Sequence, residues 1–530
     1  MRGGALSPWR RVGAATLAVV LAAALGALML DGKADARPCQ YGQYCPPAAP
    51  KGASLVADIN PAGASTPRSL VVFQGRVFFR ASDTTPDDGG ELWASDGTAA
   101  GTALVADLQA AGGSNPIDLT VFDGALYFRA VGNGDGFELW KSDGTGPGTQ
   151  LVENINPTGG SSPTGFTPLG TKLYFSAFSG TDAGLWATDG TEPGTVLVKQ
   201  VAVFELTEIG DMLLFNGSDA GTGAELWRTD GTEAGTQLVK DISSGSSFPE
   251  HLTAVGGTLF FSAAADGSGR ELWRSDGTEA GTQLVKDINP GPGESLPREL
   301  VNIGGTLFFS AFDGSGDSEL WRSDGTAGGT VRVKDVNIEG SSFPRELVVS
   351  GGRLFFVADG GAGTGEELWT SDGTEAGTHI VKDISAAAGS FASHLTDVGG
   401  VLYFVAQDDA SGQELWRANA AGTDASRVTD LHPGGSSFNS TPGFVQYAGY
   451  LVFAANDASS GTELWKLPIA RCALLRSCPP SAPAQSAATG GGGDAPTASG
   501  QPVEAGSSTT SGASTPRPSL PRPVTSSSRR

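Results

Sequence analysis

Two acids return in register along this 530-residue chain. One is the Glu of Glu-Leu-Trp, at Glu91, Glu138, Glu225, Glu271, Glu319, Glu367, Glu414 and Glu463. The other is the Asp of Ser/Thr-Asp-Gly-Thr, at Asp96, Asp143, Asp189, Asp230, Asp276, Asp324 and Asp372. Carboxylates can act as general acids, nucleophiles or metal ligands. Glycosidase-type chemistry needs two of them roughly 5 to 10 Å apart around one bond, and copies spaced one per repeat cannot pair that way. The Glu therefore reads as a hydrogen-bonding residue at a strand edge. Asp-Gly is what a tight hairpin requires, because Gly accepts positive φ and Asp bonds the backbone within the turn.

Other chemistry is sparse. Asp-rich loops at Asp87 and Asp88, at Asp313 and Asp317, and at Asp408 and Asp409 offer oxygens of the kind calcium takes, although none follows the alternating pattern of an EF-hand loop. A plain turn is the leading reading of each loop, so no cofactor is expected, and calcium is the alternative. "GNGDGF" from Gly132 lies between two predicted strands and is no dinucleotide fingerprint. The four histidines, His251, His379, His394 and His432, form no metal-binding cluster in sequence, and no Ser sits in a nucleophile elbow.

The residues around these acids specify the scaffold. Repeat Trp residues stand at Trp93, Trp140, Trp186, Trp227, Trp273, Trp321, Trp369, Trp416 and Trp465, a period of about 46 residues and within the range of propellers and solenoids. Each period holds four short apolar runs. In the copy from Glu299 these are "ELVNI", "TLFFSAF", "ELWRS" and "TVRVKDV", separated by Gly-Gly, "DGSGDS" and "DGTAGG". That is an antiparallel meander. Its near-continuous apolar runs predict sheets covered on both faces, as in a ring of blades.

The expected fold is an all-β β-propeller of about nine four-stranded blades. Closure is predicted from the ends: "SLVADI" at Ser54 to Ile59 is a lone fourth strand, and the last copy stops after its third, "ELWKL" at Glu463 to Leu467. Two smaller propellers are the alternative, but no linker interrupts the period, and the one irregular junction, Val198 to Gly210, is shortened. Gly184 replaces the repeated Glu in the third copy, the eighth reads "ELWRANAAGT", and the ninth loses the turn.

The recurring "ELWxSDGT" resembles the ELWxxDGT repeat family of exported bacterial proteins, over about Ser54 to Leu467. The resemblance implies architecture and export, and no shared catalytic activity.

The flanks agree with export. Arg2, Arg10 and Arg11 precede an uncharged run from Val12 to Leu30 and an Ala34-Asp35-Ala36 cleavage site, so residues 1–36 read as a signal peptide, with an uncleaved anchor as the alternative. "CQYGQYCPP" and "CALLRSCPP" bracket the array in segments 37–53 and 468–480. In an oxidising compartment Cys39, Cys45, Cys472 and Cys478 are expected as disulfides, in any of three connectivities. The repeated spelling favours local pairs. Residues 481–530 are Ser/Thr/Pro/Gly-rich and predict a disordered tail.

Lys plus Arg total 34 against 57 for Asp plus Glu, a net charge of -23, which repels nucleic acid and anionic membrane. The protein is expected to be a secreted or envelope-held monomer that binds a protein or glycan ligand. A propeller enzyme acting on carbohydrate or using a cofactor at the channel mouth is the alternative. Loops from fourth to next first strand vary most between copies, and they share a face with the loops from second to third. The polar residues that enter the innermost strands there, Arg68, Asp118, His251, Arg298, Arg345 and His394, are the candidate ligand contacts.

Overall fold

The computed structural model describes residues 52–469, apart from 84–89, 110–111, 133, 135, 387 and 440. The expected signal peptide, the four cysteines, Asp87 and Asp88, and the 481–530 tail lie outside the described residues. Among the described residues no helix is long and apolar enough to cross a membrane.

Glycine-rich two-residue turns and β-prone apolar runs produce the meander. In the fifth blade the strands are Glu250–Val255, Thr258–Ala265, Gly269–Ser275 and Gln283–Lys286, named a to d from the channel outward. Gly256 and Gly257 join a to b with φ of 57° and 82°, the left-handed pair that a two-residue hairpin needs and that a side chain resists. Strand b is buried on both faces along Leu259 to Ala263. Phe261 stands opposite Trp273 across strands b and c, and the same Phe–Trp pairing recurs from Phe79–Trp93 to Phe453–Trp465.

Nine such sheets are described, each four-stranded and antiparallel. Their apolar contacts form nine clusters, each shared by two successive blades. Phe260 and Leu272 of blade 5 pack with Phe309 and Trp321 of blade 6. The ninth cluster joins Val452 and Leu464 of the last blade to Val77 and Phe79 of the first. A chain of nine sheets with nine interfaces is a closed ring, so the fold is a nine-bladed β-propeller, and the two-propeller alternative is set aside. Full burial of a Phe at each seam contributes about 2 kcal/mol relative to exposure.

The ring closes as expected, with Ser54–Ala57 pairing antiparallel against Thr462–Pro468. The first strand is shorter than predicted. It ends at Ala57, because Ile59 turns its N–H to the Glu463 carboxylate. Tyr447 Oη donates to the Gly75 carbonyl at 2.6 Å, and Lys466 Nζ to that of Gly97 at 2.7 Å.

Candidate functional site

The repeated acids have structural partners. Glu271 is fully buried at the start of strand c; its Oε1 accepts the Ser295 N–H at 3.0 Å, and its Oε2 accepts the Ser295 hydroxyl at 2.6 Å and the Ile288 N–H at 2.8 Å. Both partners lie in the loop that leads to the next blade. Glu138, Glu225 and Glu319 bind the equivalent Ser161, Ser247 and Ser342. The Glu is thus a clasp on the inter-blade loop, deeper in the protein than the strand-edge role expected of it. Burial pushes the Glu271 carboxyl up to about 7, against the pull of the hydrogen bonds it accepts from Ser295, Ile288 and Asn289.

Blade 3 explains the one missing acid. Only Gln200 and Val201 separate its last strand from the first strand of blade 4, so no loop is present for a carboxylate to hold. Gly184 takes the Glu position, and a Cβ there would stand 2.4 Å from Leu197 Cδ1. Gln200 Nε2 donates instead to the Ala183 carbonyl at 2.8 Å.

The Asp of Ser-Asp-Gly-Thr is likewise committed to structure. Asp276 Oδ1 accepts the Thr278 N–H and hydroxyl at 2.9 and 2.6 Å, while Ser275 and Thr282 hydroxyls pair at 2.7 Å. These bonds tie the turn between strands c and d.

The opposite face holds the variable loops. Ser243 Oγ and Ser244 N, in the loop between blades 4 and 5, donate to Asp266 in the b–c loop of blade 5 at 3.0 Å each, so both loop sets share one face. Here the inner strands of blades 1 to 8 carry a β-bulge that includes a residue with left-handed backbone. These residues are Ser69, Asp118, Gly165, Glu205, His251, Glu299, Glu346 and His394, with φ between 51° and 72°. Gly443, ahead of the short inner strand of blade 9, has φ 60°. Seven non-glycine residues hold a conformation that costs energy and persists only where the surroundings impose it.

The six candidate contacts divide between two positions. Asp118, His251 and His394 belong to this bulge ring. Arg68, Arg298 and Arg345 precede the bulge and take a different course. Arg298 lies over the Phe312 ring at 5.5 Å, and Arg345 pairs with Glu366 at 3.1 Å and Glu346 at 3.8 Å. Arg68 is exposed and stands opposite Arg80 on strand b.

Within the ring, Asp118 pairs with Arg129 at 3.0 Å. Glu205 Oε2 accepts the Leu252 N–H of the next blade at 3.2 Å, and Glu346 Oε2 accepts that of Leu395 at 3.0 Å. Glu205, His251 and Glu299 meet at a cavity of about 480 Å³ with Leu206, Leu252 and Leu300 at its wall. Ser69, Glu205, Glu299 and Glu346 were missed as candidates. The signal was in the repeats: each stands directly before a Leu near the start of the inner strand, as His251 does.

Two of the candidate calcium loops are filled by protein groups. Asp313 accepts the Ser315 N–H at 2.8 Å and pairs with Arg332 at 3.5 Å; Asp408 accepts the Ser411 N–H at 2.7 Å and pairs with Arg427 at 3.5 Å. The Asp317 carboxylate faces the Ser315 hydroxyl at 3.1 Å, and Asp409 accepts from Ser385 at 2.7 Å. Among the described residues no group of three or more His, Cys, Asp or Glu is gathered to hold a metal ion.

No family model matches the chain, and no curated protein matches it. Among solved structures it is similar to a puromycin hydrolase, at 14% identity and a TM-score of 0.35 over 69% of this chain and 64% of that one. It is similar also to a prolyl endopeptidase, at 14% and 0.37 over 64% and 52%. Prolyl oligopeptidase B from Galerina marginata gives 13% and 0.38 over 65% and 56%. The chain spans less than two thirds of the length of each, and at these scores the likeness carries no inference about activity.

Proposed function

We propose that this protein is an exported binding scaffold whose ligand seat is the channel mouth on the face of the variable loops. One observation carries the reading. Around the bulge ring the backbone is held constant while the side chain changes from Ser to Asp, Gly, Glu and His. A position kept in a costly conformation, yet free in chemistry, suits a surface that presents different groups to a ligand. The repeated Glu and Asp residues support a scaffold over acid–base chemistry, because their oxygens are occupied by the loops and turns they hold. The ELWxxDGT resemblance and the N-terminal export pattern support export and a seat outside the cell or in its envelope.

The test is capture. The purified full chain, immobilised, is offered a glycan array and envelope-protein fractions. His251→Ala with Glu299→Gln should reduce capture of the retained ligand, and Glu233→Gln with Glu279→Gln, in the exposed c–d turns, should not. Equal retention by the two variants, or loss from the turn variant alone, defeats the reading.

A further inference from the structure

The loop face is chemically polarised. The residue after seven of the clasped Ser is half-buried or exposed and has left-handed backbone: Thr66, Asn115 and Ser162 lead into blades 1 to 3, whereas Phe248, Leu296, Phe343 and Phe391 lead into blades 5 to 8; Phe438, after Ser437 and leading into blade 9, is instead buried. Phe204 precedes the bulge in the inner strand of blade 4 and is 58% exposed, while Phe248, Phe343 and Phe391 are 49%, 52% and 44% exposed. One arc of the mouth therefore carries an apolar crown; on the other, Thr66, Asn115 and Ser162 hold the equivalent positions, with Phe178 of blade 3 an exposed aromatic beside Ser161. Isolated exposed apolar side chains are ordinary, but an ordered row of them beside a cavity marks an interaction surface.

The same five blades carry Glu205, His251, Glu299, Glu346 and His394 of the bulge ring, where blades 1 and 3 have Ser69 and Gly165 and the Asp118 of blade 2 is paired with Arg129. Among the described residues, the Glu299 carboxylate and the His251 ring make no hydrogen bond or ion pair. Of the cations near this arc, Arg270 pairs with Glu250 at 3.3 Å and Arg298 lies on the Phe312 ring, while Arg345 divides between Glu366 at 3.1 Å and Glu346 of the ring at 3.8 Å. Carboxylates thus line the inside of the crown in a protein of net charge -23, and a positive potential on the partner would complement them.

We infer that the arc over blades 4 to 8 docks a polypeptide segment in which Lys or Arg alternates with large apolar side chains. Apolar anchors seat between Phe248, Leu296 and Phe343, and the basic groups reach inward to Glu205 and Glu299 across the cavity those acids line. Anionic glycans are repelled by the same carboxylates. A neutral glycan would use the aromatic rims but has no cation to satisfy the inner ring. The inference rests on the scaffold reading above and narrows its partner class.

The probe is a fluorescein-labelled peptide of alternating lysine and leucine, titrated with the full chain and followed by anisotropy. Phe248→Ser with Phe343→Ser, and separately Glu205→Gln with Glu299→Gln, should each weaken binding about tenfold. Leu284→Ser with Glu279→Gln, on the outer strand and opposite turn of blade 5, should bind like the parent chain. A benzophenone-bearing form of the peptide should cross-link between Phe204 and His394, a readout that does not depend on the Phe variants folding. Equal binding of an alternating glutamate–leucine peptide, equal binding of oligolysine, or cross-links confined to other blades would each overturn the inference. So would a neutral glycan captured through the crown that the lysine–leucine peptide fails to displace. If no peptide binds while His251→Ala with Glu299→Gln still loses a captured ligand, the partner class is wrong and the scaffold reading stands. If neither effect is seen, both fall.

Discussion

Glu463 and Ser65 lie 398 positions apart, and the Ser65 N–H and hydroxyl donate to the two oxygens of that carboxylate at 2.8 and 2.5 Å. The Ile59 N–H reaches the same Glu463 at 3.0 Å. In every other blade but the third this clasp holds a loop to the sheet that precedes it. In blade 9 it also holds the two ends of the array together, beside the strand pairing of Ser54–Ala57 with Thr462–Pro468.

Removing that acceptor leaves buried donors without partners. Glu463→Ala is expected to cost about 3 kcal/mol in chemical denaturation and to speed amide exchange selectively along Ser54–Ala57. Glu271→Ala should cost a similar amount without exposing that strand. Equal exchange at Ser54–Ala57 in both variants would remove the special role of the Glu463 clasp.

The clasps give stability a pH dependence of definite sign. Burial raises Glu271 from 4.5 to about 7, and Glu138, Glu225, Glu319, Glu367, Glu414 and Glu463 move in the same direction for the same reason. A folded state that holds its protons to higher pH binds more of them than the unfolded chain between those values, so stability falls as pH rises from 4.5 to about 7. The turn acids oppose this at lower pH. Hydrogen bonds from Thr278 hold Asp276 below its usual value. At Asp457 burial works upward, but bonds from Ser460 and Ser459 bring the carboxyl down to about 2. Their contribution is lost as pH drops below 3.8. Melting temperature should therefore be higher at pH 5 than at pH 8, with Glu271→Gln flattening the slope between 4.5 and 7. A melting temperature that climbs steadily from pH 5 to pH 8 would contradict this.

Trp273 sits at the seam of blades 4 and 5 against Leu226, Leu259 and Phe261, with Lys240 Nζ 5.9 Å from its ring centroid. Trp273→Ala should cost about 3 to 5 kcal/mol, as large-to-small core changes do. Denaturant titration checks it, and a loss under 1 kcal/mol would mean that the seam repacks freely.

A Cβ on Gly281 would stand 2.0 Å from Asp276 Oδ1, which the Thr278 bonds fix in place. Gly281→Ala should cost about 2 kcal/mol. Combined with Asp276→Ala it should cost much less than the sum of the two single changes, because the group it collides with is gone. Additive losses would show that the carboxylate is not what excludes the side chain.

The repeat spelling determined the all-β meander, the blade count and the strand that closes the ring, because each depends on local patterns: apolar runs of strand length, Gly-Gly and Asp-Gly turns, and a fixed period. The commitment of Asp276 to its turn was legible for the same reason, since all its partners lie within two residues. The partners of Glu271 were not. Ile288 and Ser295 are 17 and 24 residues away, and only the fold of the inter-blade loop brings their donors to one buried carboxylate. Gly184 and the short junction after it are separate irregularities in the sequence, and the structure makes them one event, the loss of a loop together with the acid that would hold it. The bulge ring lay between these cases. Most of its residues align before a Leu near the start of the strand, but Arg298 and Arg345 stand one place earlier, and polarity alone could not separate them from His251. The backbone geometry separates them. A β-bulge re-aims one residue of the strand, and which of two adjacent polar side chains meets the channel is set by that three-dimensional kink.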